Sequence, residues 1–157
     1  MGHEPERHDH DRNCVCNVLL DIVEAQNEVE DSGCDTSCNR AIQELVHGTK
    51  SSPFNTIPVI LFCKGTCSPF VGVGVKRSGL HEKVNVGVSV VFRVVDVDPN
   101  TCCAILELLQ FEDPKKDAED LLEDLDKEPK PFENTNVCIT ADLNNFSAVT
   151  CLPPINL

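Results

Sequence analysis

The sequence predicts a mainly β fold, an antiparallel β-sandwich or jelly-roll-like domain preceded by an N-terminal amphipathic helix. Three observations carry that expectation. Apolar residues recur at three- and four-residue steps near the N-terminus. From Pro53 onward the chain is rich in branched residues that alternate or run together, as strands do. The turn signal Asp98-Pro99-Asn100 then separates two such runs, as in a hairpin.

Residues 1–13 are polar, carry His3, His8 and His10, and lack apolar periodicity, which reads as a flexible arm. Val15, Val18, Leu19, Ile22, Val23 and Val29 then share one helical face, with Asp21, Glu24, Glu28 and Asp31 on the other, so the helix is expected to end before Gly33. A second short helix is expected from about Asn39, stopping at Gly48. Residues 54–63, FNTIPVILFC, read as a strand, as does the valine–glycine alternation VGVGV at 71–75. Residues 84–98 read as one long strand, with Val84, Val86, Val88, Val90, Phe92 and Val94 on a buried face and Asn85, Gly87, Ser89 and Arg93 on a wetter one. The run CCAILELLQF should return antiparallel to it. Residues 112–133 hold ten acids and four lysines; Leu121, Leu122 and Leu125 allow a short helix there, fenced by Pro114, Pro129 and Pro131 as a surface excursion. The last strands are NVCITADL and NFSAVTCL. On this reading residues 14–157 form one structural domain, with a helical segment 15–48, a β region 54–152 and the acidic insert 112–133.

A chain of 157 residues is long enough to bury an apolar core without staples, and ten cysteines are about 6% of it, below the roughly 8–10% of short disulfide scaffolds. The N-terminus has no apolar stretch of the kind a secretory signal requires, so synthesis in a reducing cytosol is expected. Cysteines there are metal ligands or catalytic groups more often than bridges. A net charge of −13 argues against nucleic acid and anionic membranes as partners, and makes copies of the chain repel one another.

The sulfur pattern has several readings. Cys102 and Cys103 stand side by side at the head of a strand, where neighbours point to opposite faces. Either both are small buried hydrophobes, or one faces the interior and the other a neighbouring copy, or the pair forms a strained vicinal disulfide or serves a metal. Cys14 and Cys16 lie between the arm and the first helix, within reach of another subunit. Cys34 and Cys38 close a small loop if the segment is coil; on a helix their spacing is too wide for an undistorted bridge and they look outward. Cys14, Cys16, Cys34, Cys38, Cys102 and Cys103 are therefore the candidates for disulfides between subunits. A bridge between copies makes a weak contact persist, whereas an internal one adds about 2–4 kcal/mol to a fold of sufficient size.

Competing chemistries are less well supported. His3, His8 and His10 with Cys14 and Cys16 are weak metal candidates, but the histidines sit in a flexible arm and neither CxxxC pair has the commonest zinc spacing. No metal or other cofactor is expected, with a small zinc-binding module as the alternative of another class. A cysteine nucleophile needs a histidine, and only His47 and His81 lie in the folded part, outside any catalytic motif, so no enzyme is expected. GVGVKRSG at 72–79 lacks the Gly-Lys-Ser/Thr ending of a phosphate loop. The acidic insert lacks the ligand spacing of a calcium loop.

Taken in order, CVC at 14–16, GCDTSC at 33–38, NTIPVILF at 55–62, VVFRVVDVD with TCCAILELL, and VCITADLNNFSAVTCL resemble the cysteine-rich spore-coat and exosporium family of the CotY, CotZ and ExsY type. The resemblance runs from Cys14 to Leu152. It implies a structural protein of the bacterial endospore surface, made in the mother-cell cytosol, that self-assembles into a disulfide-reinforced two-dimensional lattice. The partners it implies are the chain itself and related cysteine-rich coat proteins, with spore appendage or filament proteins if the chain is instead an adaptor. The family's cysteines carry over to Cys14, Cys16, Cys34, Cys38, Cys102, Cys103, Cys138 and Cys151. The family's last motif reads Cys-Phe-Cys where this chain has Asn145-Phe146-Ser147, which removes two cross-linking positions. Cys63 and Cys67 and the acidic insert stand outside the family pattern. Cys63 and Cys67 flank a Lys-Gly-Thr loop, and a hairpin of that length sets such residues opposite one another at disulfide distance. They join Cys138 and Cys151 as candidates for bridges within the chain.

Overall fold

The computed structural model describes residues 14–29, 34–47, 54–79 and 83–157. The histidine-bearing arm, His81 and Gly33 lie outside them. The chain divides into two compact units, residues 1–34 and 35–157.

In the first unit, α1 (Cys14–Val29) carries the expected three- and four-residue apolar spacing, and residues 14–28 are all exposed. In the second, α2 (Cys38–His47) precedes seven strands: β1 (Val59–Cys63), β2 (Gly72–Ser78), β3 (Lys83–Ser89), β4 (Phe92–Val97), β5 (Cys103–Leu108), β6 (Cys138–Asp142) and β7 (Phe146–Cys151), with α3 (Ala118–Lys127) between β5 and β6. Five strands form one antiparallel sheet in the order β6-β5-β4-β1-β7, and β2 and β3 form a separate hairpin. The fold is mainly β and sandwich-like, with layers of unequal size. The Asp98-Pro99-Asn100 turn joins β4 to β5 as an antiparallel pair, as its sequence predicts.

The single long strand expected over 84–98 is two strands in two sheets. Between them Ser89 reorganises the backbone: its hydroxyl donates to the Val91 carbonyl at 2.7 Å and accepts from the Val91 amide at 3.1 Å. The side chain of Gln110 accepts from the Val90 amide at 2.9 Å. These buried polar groups replace the ladder bonds that a continuous strand would make.

The burial of β3 does not alternate as expected: Val84 and Val86 are exposed along with Asn85, while Gly87 and Ser89 are buried along with Val88. Glycine explains the difference. A side-chain carbon added at Gly74 would lie 2.4 Å from Val137, at Gly72 2.6 Å from Phe92, and at Gly87 2.5 Å from Phe111. The hairpin therefore approaches the five-stranded sheet backbone-first, and only residues without a side chain permit that distance. Lys76 adds a cation–π contact, its Nζ 4.5 Å from the Phe111 ring.

Under the hairpin, Val59, Leu61, Phe92, Ala104, Leu106, Leu108 and Val137 form one buried cluster. A second, made of Ile60, Val88, Val90, Val91, Leu109 and Leu121, includes the inner face of α3. The acidic helix is thus not a surface excursion: Leu121 is 0% exposed, with Leu122 and Leu125 packed beside it. Its N-terminus is closed by a capping box in which Asp117 Oδ1 accepts from the Asp120 amide at 2.9 Å and Asp120 Oδ2 accepts from the Asp117 amide at 3.2 Å. Lys116 ties Asp124 at 2.7 Å to Glu112 at 3.1 Å, and these carboxylates, Asp124 foremost, push its pKa above the ordinary lysine value.

Candidate functional site

The chemistry-bearing groups of the described residues are thiols, and the fold distributes them in five places. Cys14 and Cys16 stand exposed in the first turn of α1, and Cys34 is exposed at the end of that unit. Cys38 opens α2 and is joined to Cys151, the last residue of β7, with a Cα separation of 4.8 Å. That bridge corrects the placement of Cys38 among thiols facing other subunits. The tertiary fold brings α2 to the end of β7, a proximity that 113 intervening residues hide from any spacing argument.

Cys63 and Cys67 lie at the end of β1 and in the turn that follows. The Cys67 amide donates to the Cys63 carbonyl at 3.0 Å, and the Cys63 amide to the Ser68 carbonyl at 2.8 Å. The pair is close along the backbone, yet both are free thiols, so the local bridge expected from their spacing is not formed.

Cys102 is not on a strand. It occupies the β4–β5 turn at φ 62°, its amide donating to the Asp98 carbonyl at 2.8 Å and its carbonyl accepting from the Leu143 amide at 2.9 Å. The alternation that would send Cys102 and Cys103 to opposite faces begins only at Cys103, which is exposed, and Cys102 is half-buried. Neither is the buried small hydrophobe of the alternative reading.

Cys138, expected to pair internally, is an exposed free thiol at the start of edge strand β6. The register sets it opposite Glu107, and sets Cys103 opposite Asp142. Cys103 and Cys138 thus share one face but stand four residues apart along it, roughly 14 Å at about 3.4 Å per residue, beyond the 4.4–6.8 Å Cα range of a disulfide. They cannot bond to each other, and each is open to an outside partner. The signal for this was local: in NVCITADL the apolar Val137, Ile139 and Ala141 alternate with Cys138, Thr140 and Asp142.

Among the described residues, two of the three non-glycine residues with positive φ are cysteines, Cys67 at 58° and Cys102 at 62°. A side chain in the left-handed region costs about 1–2 kcal/mol that glycine avoids. Exchange Cys67→Gly is therefore expected to leave the melting temperature unchanged or slightly raised while deleting an exposed thiol. A fall of more than about 1 kcal/mol in denaturant unfolding would show that the Cys67 side chain has a packing role instead.

No three His, Cys, Asp or Glu side chains among the described residues are grouped to hold a metal ion, and His3, His8 and His10 lie outside those residues. His47 is exposed at the end of α2. No helix among the described residues is long and apolar enough to cross a membrane.

The family profile of spore coat protein Z matches residues 1–154. The chain belongs to the spore coat protein Z family. It is similar to spore coat protein Z of Bacillus subtilis (strain 168), with 30% identity over 141 residues that cover 90% of this chain and 89% of that protein. No solved structure matches it. Membership in the spore coat protein Z family makes this a cysteine-rich spore coat protein deposited at the spore surface.

Proposed function

We propose that the chain is a non-catalytic structural subunit of the spore's outermost layers, the exosporium basal layer or outer coat. Copies assemble into a two-dimensional lattice that disulfides between subunits then reinforce. The observation that carries this reading is the dispersal of the thiols: exposed Cys67, Cys103 and Cys138 lie on different strands and turns around one sheet, while Cys38 and Cys151 are joined to each other within the chain. In the five-stranded order β6 and β1 are three strands apart, roughly 14–15 Å at about 4.8 Å per strand. Thiols separated in this way on one body link it to more than one neighbour, the minimum for a sheet. Each cross-link joins two thiols and delivers two protons and two electrons to an oxidant such as dissolved oxygen. The sequence of events follows from redox compartment, with reversible assembly in a reducing cytosol and bonding after release of the spore. The subunit's partners are other copies of itself and related cysteine-rich coat proteins.

Purified chain oxidised in air is expected to give large species on non-reducing gels that collapse to monomer with dithiothreitol, and ordered sheets or cages by negative stain. Serine at Cys67, Cys103 and Cys138 together should reduce that ladder to small species or monomer. A soluble monomer under both conditions, or peptide maps in which every bridge lies within one chain, overturns the reading.

A further inference from the structure

We propose that edge strand β7 is the reversible contact between two copies, each pairing its β7 antiparallel with that of its twin about a two-fold axis at Val149. The proposal rests on the self-assembly reading above and names the non-covalent step within it. Strand β7 closes one side of the five-stranded sheet and has β1 as its one strand neighbour among the described residues. Hydrogen bonds show which of its groups are left over. The Leu152 amide donates to the Pro58 carbonyl at 2.9 Å, and on the far side of β1 the Phe70 amide donates to the Leu61 carbonyl at 2.7 Å. With the register Val59↔Cys151, Ile60↔Thr150, Leu61↔Val149 and Phe62↔Ala148, these bonds fix the parity of the ladder. Ala148 and Thr150 turn N–H and C=O to β1. Val149 and Cys151 turn theirs outward, where no described residue accepts or supplies a hydrogen bond. Ser147, Ala148, Val149 and Thr150 are all exposed, so both faces of the strand meet water as well as its rim. Such a row of unpaired groups is a template for another strand.

Charge and backbone geometry select the occupant. Natural edges are guarded by charged side chains, and the opposite edge of this sheet, β6, ends in the exposed Asp142. Strand β7 has no such guard: Phe146–Cys151 holds no charged side chain, and neither does any residue from 143 to 157. In a molecule of net −13, a second copy comes close most readily where neither copy presents charge. Antiparallel pairing is also self-complementary. About a two-fold axis at Val149, the N–H and C=O of each Val149 meet the C=O and N–H of the other, and the Cys151 backbone lies opposite Ser147 of the twin. The bridge to α2 sits at Cys151, the last residue of the strand, and leaves residues 147–150 exposed. The result is one continuous sheet of ten strands, five from each copy, with the two β6 edges and their Cys138 thiols at its far ends. One short strand per copy is a contact well below the size of a standard stable complex, so it is reversible and suits a step that precedes covalent locking. The pairing closes after two copies, which leaves extension of the layer to the thiols.

The test uses the full chain with its free thiols capped by N-ethylmaleimide and the Cys38–Cys151 bridge left intact. Sedimentation velocity over a concentration series should show a monomer–dimer equilibrium. Amide hydrogen exchange read residue by residue carries the signature: Ala148 and Thr150 are protected in dilute monomer, and Val149 gains protection only as concentration rises. Val149→Pro removes an outward N–H that β1 does not use, and an edge strand tolerates proline at such a position. It should raise the dissociation constant at least tenfold with an unchanged circular dichroism spectrum. Val149→Lys, which guards the edge with charge, should do the same. A monomer at every concentration overturns the proposal, as does wild-type association of either variant. Protection of Val149 in dilute monomer also overturns it, because a segment of the same chain would then cover the edge. If uncapped Val149→Pro cross-links in air as fast as wild type, this proposal fails while the lattice reading stands. If the reversible dimer forms through β7 and oxidation yields no bond between chains, the lattice reading fails and this proposal stands.

Discussion

Serine at Cys151 is expected to lower the unfolding free energy by about 2–5 kcal/mol, the usual cost of losing a native disulfide. The bridge to Cys38 spans 113 residues, and in the chain-entropy view a loop of roughly that length restricts the unfolded ensemble by about 4–5 kcal/mol. It is also the covalent tie between α2 and the exposed edge strand β7. Guanidinium unfolding followed by circular dichroism measures the effect. Reductant should destabilise wild type by the same amount and leave Cys151→Ser unaffected. Cys38→Ser should match Cys151→Ser, and the double variant should cost no more than either, because both substitutions delete the same bond. Equal stability of wild type with and without reductant would remove the bridge from the account. The expected division of labour is clear: this sulfur pair holds the subunit together, and its loss weakens the building block before any bond between subunits is considered.

Arg93→Met is expected to cost about 2–3 kcal/mol. Glu107 lies on β5 and is 1% exposed, with the Arg93 guanidinium 2.7 Å from its Oε1 and the Asn136 amide donating to its Oε2 at 2.9 Å. Removing the cation leaves a buried charge with one neutral donor, a loss that reaches 3–5 kcal/mol when both partners are fully buried. The figure is lower here because Arg93 is 38% exposed and water reaches its side of the pair. Glu107→Leu combined with Arg93→Met should recover most of the loss, though not all, since the Asn136 amide then lacks its acceptor. Chemical denaturation of the three variants tests this, and a double variant as unstable as Arg93→Met would refute it. The pair matters beyond stability. Glu107 fastens the turn at Asn136, which has φ 59° and leads directly into β6, so it positions the strand that presents Cys138.

Much of this molecule could be read from its residues in order. The three- and four-residue spacing of α1, the Asp98-Pro99-Asn100 turn between β4 and β5, and the alternation in β6 are local, and periodicity reports local geometry well. Failures came where a local pattern fits two environments. VNVGVSVVF alternates regardless of which face is buried, and valine outnumbers glycine in any hydrophobicity count, so the buried face was assigned to Val84 and Val86. The choice belongs to the packing beneath the hairpin, where the Leu108, Val137 and Phe111 side chains leave room only for Gly74 and Gly87. Leu121, Leu122 and Leu125 announced a helix among charges, but only the cluster around Val90, Val91 and Leu109 shows that it is a wall of the core.

By themselves, the residues determined the mainly β class, the hairpin turn, the family and the supply of thiols, because each depends on neighbours in sequence or on ordered motifs. Tertiary structure alone decided which thiols are used up and which are offered. Cys38 met Cys151 because α2 lies at the end of β7, Cys63 and Cys67 stayed apart despite their spacing, and Cys138 came to the open edge because β6 is the last strand of its sheet. Disulfide partnership is a matter of a few ångströms in space, and distance along the chain carries almost no information about it.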